Sequence, residues 1–469
     1  MKGLSELRRG AAPADAAPVN AAPSFDRRLT APLVLGSMLN PVNSTMIAVS
    51  LVPIGIAFGA PAAETVWLVS ALYLTTSIAQ PVIGRLVDRF GPRPLYLGGS
   101  ALIGLAGLLG MVAPSLGVLI VARVLIGLGT SAAYPAAMYV IRSEATRTGR
   151  DTPGGILTAL SVAAQATAMI GPTLGGLLVG LGGWRTVFVV NLPLGLACVV
   201  LGARRLPRAR PTATAERQAG PVDVLGMVLF GLTLTGLLLF LMAPRPDRWY
   251  LPVLAVLAAA ALTVRELRCP EPFLDLRVLG GNRPLLGTYL RQVLAYTVSY
   301  AFLYGYAQWL EQGRGLATSL TGTLMLPGSA VAIVAGILSG RRPELRGKLV
   351  LGGAVMIAAC GLLTVLRSDT PIPLLVAAGV LIGIPQGTIG LANQNALYHQ
   401  ADAERMGTAA GLLRTFMYLG AMLASAAVAA SFRHGADTPG LHELALFMLP
   451  CAALLLVVSL LDRSLRRRW

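Results

Sequence analysis

Fourteen apolar stretches, each close to the length a helix needs to cross a bilayer, follow one another along the chain. A spanning helix takes roughly 20 mostly apolar residues. Such runs lie near 31–58, 65–86, 94–113, 116–141, 154–181, 184–203, 222–243, 249–265, 285–310, 317–339, 348–366, 372–397, 407–432 and 441–461. Water is the wrong solvent for them. Of the 469 residues 55% are hydrophobic and only 13% charged, about half the charged share of a soluble domain. Too little polar surface remains to coat a particle of this size, so the chain is expected to be an all-α integral membrane protein with the lipid bilayer as its first partner.

The net charge of +17 does not point to nucleic acid, because the arginines sit in short clusters between the apolar runs. Counted from an inside start, 29 Lys and Arg fall in alternate loops and tails, 6 fall in the opposite loops, and Arg123, Arg291 and Arg414 fall within runs. By the positive-inside rule both termini are expected in the cytoplasm. Residues 1–28, rich in Ala, Pro and Arg, read as a disordered cytoplasmic tail and not as a cleavable signal peptide. Cys198, Cys269, Cys360 and Cys451 are far apart in the sequence, with no metal or disulfide spacing, and read as small hydrophobes. No metal or cofactor is expected.

An internal repeat divides the runs. LYLGGSALIGLAGLL at 95–109 and LVLGGAVMIAACGLL at 349–363 keep a Gly pair and a Gly–Leu–Leu in register, and VLIG at Val124–Gly127 recurs at Val380–Gly383. The offsets, 254 and 256 residues, pair the third run with the eleventh and the fourth with the twelfth. The expected organisation is a six-helix bundle at 29–204, a linker at 205–220 and two inserted helices at 221–266. A loop at 267–284, a second six-helix bundle at 285–461 and a basic tail at 462–469 complete it.

The loop after the second run reads Gly84-Arg-Leu-Val-Asp88-Arg89-Phe-Gly91-Pro-Arg93. Gly84 and Gly91 permit close approach and a tight turn. Asp88, at a helix end, can pair with an arginine or meet a helix N-terminus and latch one face. The spacing resembles the loop signature of the major facilitator superfamily. Arg123 heads Arg-Val-Leu-Ile-Gly127 in the fourth run and resembles that family's helix 4 motif, with Ile126 where Gln is common. A cation there either faces a cavity or partner, or snorkels to the outer interface. Gly171-Pro172-Thr-Leu-Gly175-Gly176 in the fifth run resembles the family's antiporter signature. It reads as a flexible hinge or as plain close packing. The following Trp184-Arg185-Thr-Val-Phe188…Asn191-Leu-Pro193 is similar to the drug:proton antiporter branch. Trp67…Ser70…Tyr73, Pro221-Val-Asp223…Gly226 and Gln308-Trp-Leu-Glu-Gln-Gly313 resemble its fourteen-helix members.

The resemblance implies the major facilitator fold, two six-helix bundles with two additional helices inserted between them. It implies a non-enzymatic secondary transporter in the cell membrane, a proton-coupled multidrug efflux antiporter conferring antibiotic resistance. Its partners would be protons and a small amphiphilic substrate, and a monomer is expected. Uptake or symport of an organic solute is the rival, with an intramembrane enzyme or sensor more remote. One departure is informative. The branch usually carries Asp in helix 1, where this chain has Val42-Asn43-Ser44-Thr45, and no carboxylate lies near the middle of any run. Glu64 and Asp88 are the remaining candidate proton carriers. The candidate cavity residues are then neutral: Asn43, Ser44, Thr45, Gln165, Gln386 and the i, i+4, i+8 stripe Tyr296, Tyr300, Tyr304. Gln80, Asn393, Gln394, Asn395 and Arg414 are expected deeper toward the cytoplasm. Interhelical hydrogen bonding is the alternative role for each. With Arg123 nearby and no acid, such a cavity should favour neutral, zwitterionic or weakly acidic amphiphiles over permanent cations.

Overall fold

A computed structural model of the chain describes residues 25–149, 154–208, 223–242, 246–316, 318–341, 344–433 and 435–466. Most of the tail at 1–28, most of the linker at 205–220, Pro221, and the last three residues of the basic tail lie outside the described residues. All regular structure among the described residues is helical. Among the described residues thirteen helices are long and apolar enough to span: α1 (Arg27–Phe58), α2 (Trp67–Phe90), α3 (Pro92–Met111), α4 (Leu116–Thr148), α5 (Gly155–Gly182), α6 (Thr186–Arg205), α7 (Val224–Met242), α8 (Pro246–Arg268), α10 (Leu320–Gly340), α11 (Leu345–Leu363), α12 (Ile372–Gln400), α13 (Ala403–Ser431) and α14 (Thr438–Leu461). The remaining one, α9, runs Arg283–Ala301 and continues through two π-helical turns, Phe302–Tyr306 and Trp309–Gly313. Arg291, Gln292 and the tyrosines dilute its apolar character.

Helices end where the backbone is turned, not where hydropathy falls. α2 extends past the expected 86 to Phe90, and stops at Gly91, whose φ of 85° favours glycine. Pro92 then opens α3, where the first-turn N–H is dispensable. α4 likewise runs beyond 141 to Thr148 and stops at Gly149, φ 61°. Polar side chains cap other starts: Asn282 accepts from Leu285 N–H at 3.1 Å and Asp437 from Gly440 N–H at 2.9 Å. Outward side chains are apolar, with Val52, Ile56, Leu181, Val256, Leu257 and Leu461 all exposed, as a lipid-facing surface requires.

The two repeats use the same helix pairings. In the first, α1 packs on α5, α2 and α3 on α4, and α3 on α6. In the second, α9 packs on α13, α10 and α11 on α12, and α11 on α14. The VLIG glycines do equivalent work. A Cβ on Gly127 would lie 3.0 Å from Thr75 of α2, and one on Gly383 would overlap the carbonyl oxygen of Gly328 in α10. Gly is needed at both because the fourth helix of each repeat lies directly on its second.

Helices α7 and α8 pack on each other, and α7 also touches α2 and α13. Asp223 anchors the pair, accepting from Gly226 N–H at 2.9 Å and from Arg265 Nε at 2.8 Å. Burial pushes the Asp223 carboxyl up, but these bonds and the Arg265 charge outweigh it and hold the group below its ordinary range. Glu266, beside it, is buried and accepts from Leu274 N–H at 3.0 Å. At the chain's end Asp462 pairs with the fully buried Arg291 at 2.8 Å, and Arg291 also donates to Asn393 and Thr288. Asn393, expected on the path, is thus part of this internal network. The face that holds Asp26, Arg28, Arg205 and Asp462 is called the terminal face below, and its opposite the far face.

Candidate transport path and gate

On the terminal face the halves are tied by Asp88, the last acid of α2. Its Oδ1 accepts from Gly407 N–H at 2.7 Å, and its Oδ2 accepts from Thr408 N–H at 2.8 Å and from the Thr408 hydroxyl at 2.6 Å. The α-helical part of α13 begins at Met406, after a 3-10 turn at Ala403–Arg405, so Gly407 and Thr408 lie in its first turn and the carboxylate caps a helix N-terminus belonging to the other half. Two backbone donors that no helical carbonyl can satisfy are met by a charge suited to the helix dipole. The approach depends on glycine: a Cβ on Gly407 would stand 2.6 Å from the Gly84 carbonyl oxygen, and one on Gly411 would overlap the Gln80 carbonyl oxygen. Gln80 is buried there with an unpartnered Oε1. Arg93 donates instead to Ala203 O at 2.6 Å, within the first half, and Arg89 stacks over Phe90. The loop between α8 and α9 lies across the same seam, with Glu271 3.5 Å from Arg85 and Asp275 3.1 Å from Arg405. Arg142 adds a contact to Tyr398, lying 5.0 Å from its ring centroid, and Gln394 approaches Met138.

Arg123 is fully buried inside the first half, neither snorkelling nor open to a path. Its Nε donates to Leu68 O at 2.7 Å and its Nη1 to Asn43 O at 2.9 Å, so it ties α4 to α2 and α1. Asn43, expected in the cavity, is also turned inward. Its Nδ2 donates to Asn191 Oδ1 at 2.7 Å and to Leu39 O at 2.9 Å. A buried amide is satisfied by a second amide on α6, and the interhelical alternative holds at this position. The cation read as lying near the cavity therefore does not face it.

The α5 glycines divide in two. A Cβ on Gly171 would overlap the Thr45 hydroxyl, and one on Gly175 would sit 2.8 Å from Met46 O; Gly176 has nothing within 4 Å. Gly171 and Gly175 thus seat α5 on α1, one on each side of Pro172, whose missing N–H loosens α5 there. Opposite them α1 tightens into a 3-10 stretch, Ile47–Ser50. Thr45 and Ser44 return their hydroxyls to Pro41 O at 2.7 and 3.1 Å. Gln165 donates to Ser161 at 3.2 Å and lies beside Gly336 of α10, between the halves.

Between about 20 and 30 Å along their helices from the terminal face, polar aromatic groups converge from four helices. Tyr73 of α2 and Tyr418 of α13 stand 5.6 Å apart, and the Tyr418 hydroxyl donates to Asn40 Oδ1 at 2.9 Å. The stripe on α9 forms a ladder, Tyr296–Tyr300 at 5.9 Å and Tyr300–Tyr304 at 5.5 Å. Arg414 of α13 lies over the Tyr134 ring at 4.2 Å. Gln386 of α12 is half-buried at the same depth. Glu64 is exposed beyond the far end of α2.

Residues 33–425 match the family description of the major facilitator superfamily. The chain belongs to that superfamily. It is 31% identical over 395 residues to an uncharacterized MFS-type transporter, YwoD, of Bacillus subtilis, covering 83% of this chain and 86% of that one. It is 29% identical over 414 residues to the tetracenomycin C resistance and export protein of Streptomyces glaucescens, covering 84% and 73%. Among solved structures, that of the human organic anion transporter MFSD10 (TETRAN) superposes with a TM-score of 0.65 at 15% identity, covering 92% of this chain and 99% of that chain. At that identity the likeness concerns the fold.

The chain is thus a multi-pass membrane transporter of the major facilitator superfamily. Sequence reasoning located Asp88 but not its partners. Gly407, Gly411, Thr415 and Tyr418 share one face of α13, the small residues meeting α2 first and Tyr418 reaching Tyr73 at the top; Thr415 donates to Ser77 O at 2.6 Å. That spacing of small and hydroxyl residues was a readable signal of a close helix crossing.

Proposed function

We propose that this superfamily member is a proton-coupled exporter of small amphiphilic drugs or metabolites, working by alternating access in the plasma membrane as a monomer. Both termini are cytoplasmic in this reading, by the excess of arginine on the terminal face. The moving bodies are the bundles 29–204 and 285–461, with 221–266 riding beside them. The observation that carries the reading is the Asp88 cap on α13. It joins the halves through one carboxylate, two backbone donors and a hydroxyl, a contact that protonation or rocking can release without unfolding either half. A glycine seam between α1 and α5 beside Pro172 supplies a place to bend. Export is favoured over uptake by the likeness to the tetracenomycin C export protein and by the α5 motif.

Asp88 is the proposed proton carrier as well as the latch, since Glu64 is exposed and Asn43 replaces the helix 1 acid. The test is reconstitution in liposomes with an imposed pH gradient, screened against a panel of amphiphiles. Accumulation that follows the proton gradient and falls in Asp88→Asn supports the reading. Movement of solute indifferent to the gradient, or none for any compound, overturns it.

A further inference from the structure

Arg414, about two turns into α13 and nearer the terminal face than the tyrosine ladder, sits where the halves meet, and has no counter-ion among the described residues. The ion pairs among the described residues all involve other arginines. Its Nη1 donates to Met417 Sδ at 3.5 Å, a weak acceptor, and its plane lies on the Tyr134 ring. Tyr296, Tyr300 and Tyr418 lie within electrostatic reach of it. Tyr418 has already committed its proton to Asn40. None of the hydroxyls of Tyr296, Tyr300 and Tyr304 has a described partner, and each residue is only half-buried. The site is therefore rich in donors and has no carboxylate to accept them. Arg123 shows the contrast, since it is fully enclosed and meets two backbone carbonyls.

A guanidinium stays charged at any physiological pH, and an uncompensated charge away from water is costly. The complement that relieves it is an anion with two oxygens for the planar fork. The tyrosine faces, 5.5–5.9 Å apart along the ladder, offer a surface for a flat ring. We infer that Arg414 and the Tyr296–Tyr300–Tyr304 ladder bind an aromatic organic anion, with a carboxylate or sulfonate on Arg414 and its ring on the tyrosines. Resting on the transporter reading above, this anion is the class of cargo. A permanently cationic aromatic meets the Arg414 charge and no acid to offset it, and is rejected.

The test uses three probes of one shape, pyrene-1-butanoate, neutral pyrene-1-butanol and a trimethylammonium pyrene, with the purified full chain in detergent and in liposomes. The butanoate should bind at least about tenfold more tightly than the other two, the scale of a charged hydrogen bond. Arg414→Gln should erase that preference while changing butanol affinity less than about twofold. Arg414→Lys should retain part of it, and Tyr300→Phe should lose a few-fold with the ring intact. Equal or tighter binding of the cation, or an unchanged preference in folded Arg414→Gln, overturns the inference. The two readings fail separately. Arg414-dependent binding of an anion that is never carried across sinks the transport reading and leaves the site, whereas brisk transport of the cation, indifferent to Arg414→Gln, sinks the site and leaves the transporter.

Discussion

Asp88→Asn changes one oxygen of the latch into an NH2 group and leaves the shape alone. In the native contact two oxygens accept from three donors, Gly407 N–H, Thr408 N–H and the Thr408 hydroxyl. The amide keeps one acceptor, turns a donor toward a backbone N–H, and removes the charge from the α13 N-terminus. Hydrogen bonds to charged groups contribute about 1.5–3 kcal/mol net. Asp88 is only half-buried, so the lower end applies, and about 1.5–2 kcal/mol corresponds to roughly ten- to thirtyfold more frequent opening. The Gly407 and Thr408 amides report this directly, because their bonds go to Asp88. Hydrogen–deuterium exchange of peptides covering 404–412 should accelerate by about that factor, while peptides in α3 and α11 stay unchanged. Transport should fall at unchanged membrane abundance. Unchanged exchange at 404–412 in Asp88→Asn would refute the latch.

Other consequences follow from the geometry. Gly171→Ala should impair transport at normal abundance because its methyl meets Thr45, whereas Gly176→Ala, facing open space, should be tolerated; liposome transport compares them. Asp462→Ala leaves the fully buried Arg291 without its acid and should cost about 3–5 kcal/mol, read as a lowered thermal midpoint in detergent. Asp223, with its folded pKa below the unfolded one, stabilises the α7–α8 anchor above about pH 4. That contribution should fade as pH falls through the lowered folded value, and Asp223→Asn should flatten the acid limb of the thermal stability curve.

The spans were legible because lipid imposes length and apolarity on each helix separately, and α9 shows the limit, since its tyrosines and Arg291, held in an internal ion pair, dilute it. The repeat was legible because Gly127 and Gly383 solve the same packing problem in each half. Side-chain direction was not. Asn43 looks like a cavity polar group in the sequence, and only the arrival of Asn191 from α6 shows that it is satisfied inside the first half. Arg123 and Arg414 are both arginines in apolar runs, and what separates them is whether backbone carbonyls converge on the guanidinium. Such convergence is a property of three helices at once and leaves no trace in one.

Rocking of the two halves is most directly tested by pulsed spin-label distances across equivalent helices in liposomes. One pair, Gly98→Cys with Leu351→Cys, sits in the terminal-face half of α3 and α11; the other, Val112→Cys with Val365→Cys, lies at the far ends of the same helices, all four positions being exposed. Lowering the pH to release Asp88 should lengthen the first distance and shorten the second. Two distances that hold constant, or that change in the same direction, would contradict alternating access in this protein.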